Sequence, residues 1–310
     1  MREGERIAVL AGGTSCEREV SLVSGKNVLD ALQSQGLQVL WVDAVGDFMS
    51  KLKEEKITLV FIALHGTFGE DGTVQRLLEK EGIAYTGPGP RASETAFDKY
   101  KTQVLLKREG ISVPEFALLD NISQAKNNAP FDFPLVVKPT KSGSSVGVTI
   151  LAGKEGYETA CREAFKYSDT VMVERFIAGR ELTVSILGEQ PLPVVEVIAQ
   201  RKFYDYEAKY GNAGTRYEVP AKLSAPQAEK VTQESMKAYR ALGCRMMSRV
   251  DVILAPDDTP YVLEVNTIPG LTSKSLLPKA AAAAGVDFPA LCVRILTMAL
   301  AERKGAPAHG

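Results

Sequence analysis

Ser248-Arg249-Val250-Asp251-Val252 and, shortly after, Tyr261-Val262-Leu263-Glu264-Val265-Asn266-Thr267-Ile268-Pro269-Gly270 are the stretches whose reading decides the architecture of this chain. Both alternate with the period of a strand, so Arg249 and Asp251 share one face of the first, and Glu264 and Asn266 one face of the second. Between them Ala255-Pro256-Asp257-Asp258-Thr259-Pro260 is rich in turn formers and predicts an antiparallel return. In a suitable register, three oxygen-bearing side chains and one guanidinium meet on a single patch. Asp251, Glu264 and Asn266 are hard donors with no His or Cys among them. Such a set suits Mg²⁺ or Mn²⁺ and leaves positions for phosphate oxygens. A surface hairpin with its polar side in water is the other account of the same pattern.

At 310 residues the chain is long for one domain and predicts two or three around a cleft. Its apolar fraction of 45% and charged fraction of 24% are those of a globular protein. With 37 basic and 38 acidic side chains the formal charge is -1. No basic cluster stands out, which argues against nucleic acid as a partner. Cys16, Cys161, Cys244 and Cys292 are too far apart for a CxxC pair or zinc finger, and only two histidines exist, so a multi-histidine metal site is excluded. Charged Arg2, Glu3, Glu5 and Arg6 precede any apolar run, and no apolar stretch approaches membrane-spanning length. The expectation is a cytoplasmic protein without a membrane segment.

Apolar runs at 7–10, 39–42, 59–64 and 83–85 alternate with helical segments, the pattern of an open parallel α/β sheet. The first helix is expected to stop at Gly36. A single helix over 93–109 then leads to strands at 133–138, 147–151 and 170–176, with a helix over 156–166, a small α+β unit. Strands at 182–187 and 194–197, a long irregular stretch over 200–220, a helix over 226–242, the two opening strands and a last helix over 289–302 complete the chain. The irregular stretch carries Tyr204, Tyr206, Tyr210 and Tyr217, and its length inside a compact domain points to function or disorder.

Lys141-Ser142-Gly143-Ser144-Ser145-Val146-Gly147 joins two strands of the middle unit. Glycines permit close backbone approach and serines add donors, so the loop is suited to covering a triphosphate, unless it is simply a flexible hairpin tip. It is not a P-loop, which needs G-x-x-x-x-G-K-[ST] opening into a helix. Lys138 ends an apolar strand, where an ammonium wants an anion. Lys99 and Lys209 are further candidates that taken singly read as solvated. Glu174 closes a strand from which a carboxylate and neighbouring backbone groups can reach a nucleobase edge. Glu17 begins the first helix, where either a ligand or the helix dipole accounts for a carboxylate. His65 follows a strand of the α/β sheet, at the end where ligands gather in such folds.

Taken together, Glu17-Arg18-Glu19-Val20-Ser21, His65-Gly66 with Gly69-Glu70-Asp71-Gly72, Lys138-Pro139, Gly143-Ser144-Ser145-Val146-Gly147, Arg249-x-Asp251 and Glu264-x-Asn266-Thr267-x-Pro269-Gly270 resemble the D-alanine:D-alanine ligases. These are ATP-grasp enzymes of peptidoglycan synthesis. The resemblance spans about 7–300, with the motifs in family order. It implies an α/β protein, α+β in parts, with three domains: 1–92, an N-terminal substrate-binding α/β domain; 93–180, a central ATP-grasp domain; and 181–310, a C-terminal ATP-grasp domain with the metal site and a mobile loop over 200–220. It further implies ATP between the last two domains, with Lys99, Lys138, Ser144, Ser145 and Lys209 at the phosphates. Glu174, the backbone of Phe176 and Ile177, and Glu181 would hold adenine and ribose, and Asp251, Glu264 and Asn266 two Mg²⁺ (or Mn²⁺) ions. Glu17 would anchor the ammonium of the first D-alanine and connect through Ser144 to Tyr210, with His65 nearby. Arg249, the Gly270 N–H, Ser275 and Leu276 would receive the second D-alanine. The family is commonly dimeric, which implies a homodimer.

Departures from the family pattern are Lys274, where several relatives carry histidine, the bulk of Met246-Met247-Ser248, and Ser142, where some carry a charge. A D-alanyl-D-lactate ligase is the near rival, against which Tyr210 argues because that subfamily tends to carry phenylalanine there. A nucleotide-binding protein without ligase chemistry would be expected to have lost a metal ligand, and an oxidoreductase to show G-x-G-x-x-G, which is missing.

Overall fold

The computed structural model describes residues 5–126, 129–143, 145–198 and 215–305, the side chains of 304 and 305 excepted. Three sheets follow one another along the chain. The first has the order β2-β1-β3-β4 and is parallel throughout, built from β1 (Ile7–Ala11), β2 (Val39–Asp43), β3 (Leu59–Ile62) and β4 (Ala84–Tyr85). Helices α1 (Arg18–Ser34), α2 (Phe48–Glu54) and α3 (Thr73–Lys80) make the crossovers. Every residue of β1 and β3 is apolar and buried, as strands covered on both faces require. The stop at Gly36 is present: its φ is 76°, and Leu37 N–H donates to Leu32 C=O at 3.2 Å, closing the last turn of α1.

The helix expected over 93–109 is two helices, α4 (Pro90–Phe97) and α5 (Lys99–Arg108). Asp98 between them is extended (φ −90°, ψ 101°), and its carboxylate accepts from Lys101 N–H at 3.1 Å. A strong N-cap residue has interrupted a run whose periodicity alone reads as continuous. The interruption makes Lys99 the first residue of a new helix, with its N–H bonded to Thr140 C=O at 2.9 Å.

The second sheet is antiparallel, in the order β5-β8-β6-β7: β5 (Phe116–Leu119), β6 (Leu135–Pro139), β7 (Thr149–Leu151) and β8 (Val171–Arg175). Helix α6 (Tyr157–Ala164) covers it, packing Ala160 and Cys161 with Leu135, Val137 and Val173.

The third sheet runs β12-β11-β9-β13-β14, from β9 (Arg180–Leu187), β11 (Val195–Ile198), β12 (Arg216–Glu218), β13 (Met247–Leu254) and β14 (Pro260–Asn266), with β10 (Gln190–Pro191) paired to β9. One face sends Leu182, Val184, Val250 and Val252 against α7 (Ala225–Ala241), which begins with a Ser224/Gln227 capping box. The other face carries the polar residues of the opening stretches. Strict alternation would place Val262 beside Glu264. Instead Asp251 pairs with Glu264 and Val252 with Val262, so Leu263 is a bulge. The extra residue turns Val262 and Val265 both to the core while Glu264 and Asn266 keep the polar face. The carbonyls it displaces are taken by Gln103, whose Nε2 donates to Leu263 C=O at 2.7 Å and Val262 C=O at 3.2 Å.

After β14 the chain leaves this sheet and enters the core of the first. Ile268, Leu271 and Leu277, with Ile295 of the last helix, pack in one cluster with β1 and β3. Leu271 is fully buried there, worth about 1.5–3 kcal/mol. Helices α8 (Leu276–Ala283) and α9 (Phe288–Gly305) follow. Among the described residues no single helix is long and apolar enough to cross a membrane, and the bent pair these two form buries its apolar side in this core.

Candidate active site

A cavity of about 410 Å³ opens where the loops of all three sheets meet, lined among others by Glu17, His65, Gly143, Glu181, Arg249 and Gly270. Its floor is the polar face of β13 and β14, in the register that brings the opening residues together: Arg249 opposite Asn266 and Asp251 opposite Glu264. Arg249 and Asp251 form a two-armed pair, Nε to Oδ1 and Nη2 to Oδ2 both at 2.7 Å, and Asn266 Nδ2 donates to Asp251 Oδ2 at 3.2 Å. Glu264 lies 3.7 Å from Lys99 Nζ, which donates to Ser142 C=O at 2.6 Å. A second cavity of about 40 Å³ shares Glu70, Gly143, Glu264 and Asn266 with the first and reaches Lys99.

Among the described residues no group of three or more His, Cys, Asp and Glu is arranged to hold a metal ion. The donors gathered on the floor are two carboxylates and an amide. That set fits a hard divalent ion of the kind that takes one or two carboxylates and completes its shell with water and substrate phosphates.

Glu17 stands at the N-cap of α1, yet its side chain makes no capping hydrogen bond. Its carboxylate instead lies against two glycines. A Cβ on Gly66 would come within 2.7 Å of Glu17 Oε2, and one on Gly143 would overlap the same oxygen. Close approach explains both glycines, and Gly66 also needs its positive φ of 75°. The loop between β6 and β7 of the second sheet therefore reaches the carboxylate beside the first sheet with bare backbone.

His65 is buried, and its Nε2 lies 2.9 Å from Ser24 Oγ. Burial pulls the imidazole down to about 4; the Ile268 carbonyl works against that shift, and the positive charge of Arg249 adds to it. The ring is thus neutral at ordinary pH and bonded within the protein. Glu70, whose motif drew notice but whose own role the sequence did not suggest, accepts from Gly66 N–H at 2.7 Å. Burial, and then the neighbouring Glu17, push its carboxyl well above the usual carboxylate range.

Lys138 meets its anion within the protein: Nζ is 2.7 Å from Glu174 Oε2, the two side chains 8% and 3% exposed. They project from adjacent strands, β6 and β8. Ser145 takes a left-handed φ of 60° at the tip of the glycine loop. Phe176 N–H is bonded to Pro134 C=O at 3.1 Å, and Ile177 is half-buried in the link to β9. Glu181 lines the cavity from the start of β9. On the far wall a Cβ at Gly270 would lie 2.6 Å from Ser275 Oγ, which accepts from Thr272 N–H at 3.0 Å, and Leu276 starts α8 beside it. Ser144, Lys209 and Tyr210 lie outside the described residues, as does most of the 200–220 stretch.

Ser24, Asn27 and Thr183 are residues the sequence reading passed over. Ser24 follows Glu17 by seven positions, two helical turns, so the spacing itself was a signal. Thr183 is opposite Asp251 on β9, and its buried hydroxyl has no partner among the described residues.

The family described as D-ala D-ala ligase C-terminus matches residues 105–297, and its companion, D-ala D-ala ligase N-terminus, residues 43–88. Proteins named D-alanine:D-alanine ligase from an Anaeromyxobacter species and from Citrifermentans bemidjiense are each 45% identical, over 94% and 95% of this chain and 96% of theirs. The crystal structure of the D-alanine:D-alanine ligase of Bacillus anthracis complexed with ATP matches with a TM-score of 0.85 at 36% identity, covering 98% of this chain and 99% of that one. The VanG D-Ala:D-Ser ligase of Enterococcus faecalis matches with a TM-score of 0.83 at 28% identity, covering 96% and 100%.

Proposed function

The chain belongs to the D-alanine:D-alanine ligase family, with the ATP-grasp fold, and on that premise we propose that it joins two D-alanines into D-alanyl-D-alanine for peptidoglycan precursors, releasing ADP and phosphate. The observation that carries this reading is one cavity with Glu17 on one wall, Gly270 on the far wall, Arg249 on the floor between them, and Glu264 at an end approached by Lys99. An amino acid, a phosphate donor and a second amino acid can meet there.

A carboxylate is a poor electrophile, so the first D-alanine is activated by transfer of the γ-phosphoryl group of ATP to its carboxylate. Glu17 holds the ammonium of that D-alanine, turning its carboxylate toward the floor of the cavity, with His65 alongside. Lys99, Lys138, Ser144, Ser145 and Lys209 attend the phosphates, and Glu174, Phe176, Ile177 and Glu181 the adenine and ribose. Asp251, Glu264 and Asn266 would hold Mg²⁺ or Mn²⁺, whose charge offsets that of the phosphates. Ser275 and Leu276 receive the carboxylate of the second D-alanine. Its amine attacks the acyl carbon; Arg249, loosening one arm of its fork to Asp251, and the Gly270 N–H stabilise the oxyanion until phosphate leaves. Tyr210 and its loop exclude water, because an acyl phosphate hydrolyses readily. A cytoplasmic homodimer is proposed from the resemblance.

Product analysis tests the reading. Purified protein with ATP, Mg²⁺ and D-alanine should release phosphate and D-alanyl-D-alanine together, and D-serine or D-lactate supplied in competition should be disfavoured as second substrate. Phosphate-free mixtures, or a depsipeptide as main product, would sink it.

A further inference from the structure

Helix α1 meets the cavity at its first end and, two turns on, the loop that forms the cavity's far wall. Its first end brings Glu17, and two turns on, Ser24 lies fully buried beneath the loop that carries Gly270. Leu271 N–H donates to Ser24 Oγ at 3.4 Å, and Leu271 C=O accepts from Asn27 Nδ2 at 3.1 Å. Both backbone polar groups of the residue after Gly270 are therefore held by one helix of the first domain. Ser24 Oγ also contacts His65 Nε2, and the Ile268 carbonyl acts on the same ring. In a neutral ring that donates from Nδ1 to Ile268, Nε2 accepts the Ser24 proton, and the Ser24 oxygen still accepts from Leu271. Each donor in this circuit has one acceptor. It leaves and re-enters the chain at Leu271 and Ile268, on either side of Pro269-Gly270.

We propose that Ser24 and His65 are positioning residues for the second half of the reaction: their hydrogen-bond circuit locks residues 268–271 so that the Gly270 N–H faces the oxyanion formed when the second D-alanine attacks. The proposal rests on the ligase reading. It separates the two half-reactions, because Glu17 and the lysines that serve phosphoryl transfer are outside the circuit and Gly270 is bracketed by it. Without the lock, acyl phosphate still forms, but its carbon is attacked less often by amine and more often by water.

The test uses the full chain with ATP, Mg²⁺ and D-alanine, measuring phosphate and dipeptide in the same reaction, with hydroxylamine as trap. Hydroxylamine nitrogen bonds to the acyl carbon, the carbon–oxygen bond to phosphate breaks, and hydroxamate counts acyl phosphate that escaped the second D-alanine. Ser24→Ala and Asn27→Ala should each lower dipeptide per phosphate by about 3–10-fold at sub-saturating D-alanine, the scale of one lost hydrogen bond. The hydroxamate share should rise, and Ser24→Thr should recover part of the ratio. Asp30→Asn, on the exposed side of the same helix, should match wild type. If Ser24→Ala does not fold, Asn27→Ala, half-buried and acting on the same peptide, supplies the readout. A parallel fall of phosphate and dipeptide with an unchanged ratio would show a merely structural role and overturn the proposal. Failure of the wild type itself to make dipeptide would overturn the ligase reading and this one with it.

Discussion

Acidification should act on His65 in a way that can be isolated. The ring is buried, bonded to Ser24 and held down to about 4 from an ordinary 6.5, chiefly by burial. The folded protein therefore keeps it neutral while the unfolded chain takes up a proton below about pH 6.5. Stability from this group is complete above that pH and is lost as the pH falls toward 4. At about 1.36 kcal/mol per pH unit the loss is about 1.4 kcal/mol at pH 5.5 and about 2.5 kcal/mol at pH 4.5. Carboxylates titrate in the same range, so the comparison is a double difference. Wild type and His65→Gln are unfolded in urea at pH 7.5, 5.5 and 4.5, and the stability gap between them should close by those amounts. The chain has only two histidines, so the variant also identifies the His65 ring resonance, which should stay neutral through pH 5.5. A His65 signal that titrates near 6.5, or a stability gap independent of pH, would refute the reasoning.

Glu17→Gln removes the charge proposed to face the substrate ammonium and should lower kcat/KM for D-alanine about 10–150-fold, the scale of one charged hydrogen bond, with KM for ATP unchanged in the same steady-state assay. Lys138→Met strands the Glu174 carboxylate in the interior and should cost about 3–5 kcal/mol of stability by urea unfolding. The double variant with Glu174→Met should regain most of that stability without regaining ATP affinity, read by calorimetry. Gly143→Ala would set a methyl group into the Glu17 carboxylate. The loop must retreat, and D-alanine affinity should fall further than that of ATP in direct titrations.

Much of this was legible because period-2 patterning survives translation into a sheet. Arg249, Asp251, Glu264 and Asn266 were placed on one face from spacing, and the register puts them there. Patterning could not reveal the bulge at Leu263, which depends on Gln103 from a distant helix taking two carbonyls. Nor did periodicity reveal the break at Asp98, a capping decision made by a single side chain. For His65 the strand end was the right clue to location, but its partners, Ser24 and Ile268, are 41 and 203 positions away in the chain. Lys138 was read as awaiting an anion, and the one it meets belongs to the neighbouring strand. Contacts between distant segments have no periodic signature, and in this site they decide which polar groups face a ligand and which face each other.

The length of α1 between Glu17 and Ser24 carries a final consequence. At about 1.5 Å per residue, the seven steps between them set about 10 Å from the carboxylate at the helix's first end to the hydroxyl that supports the Gly270 loop. Both are borne by one regular helix, so neither can shift without the other: a tilt of α1 displaces the two opposite walls of the cavity in concert.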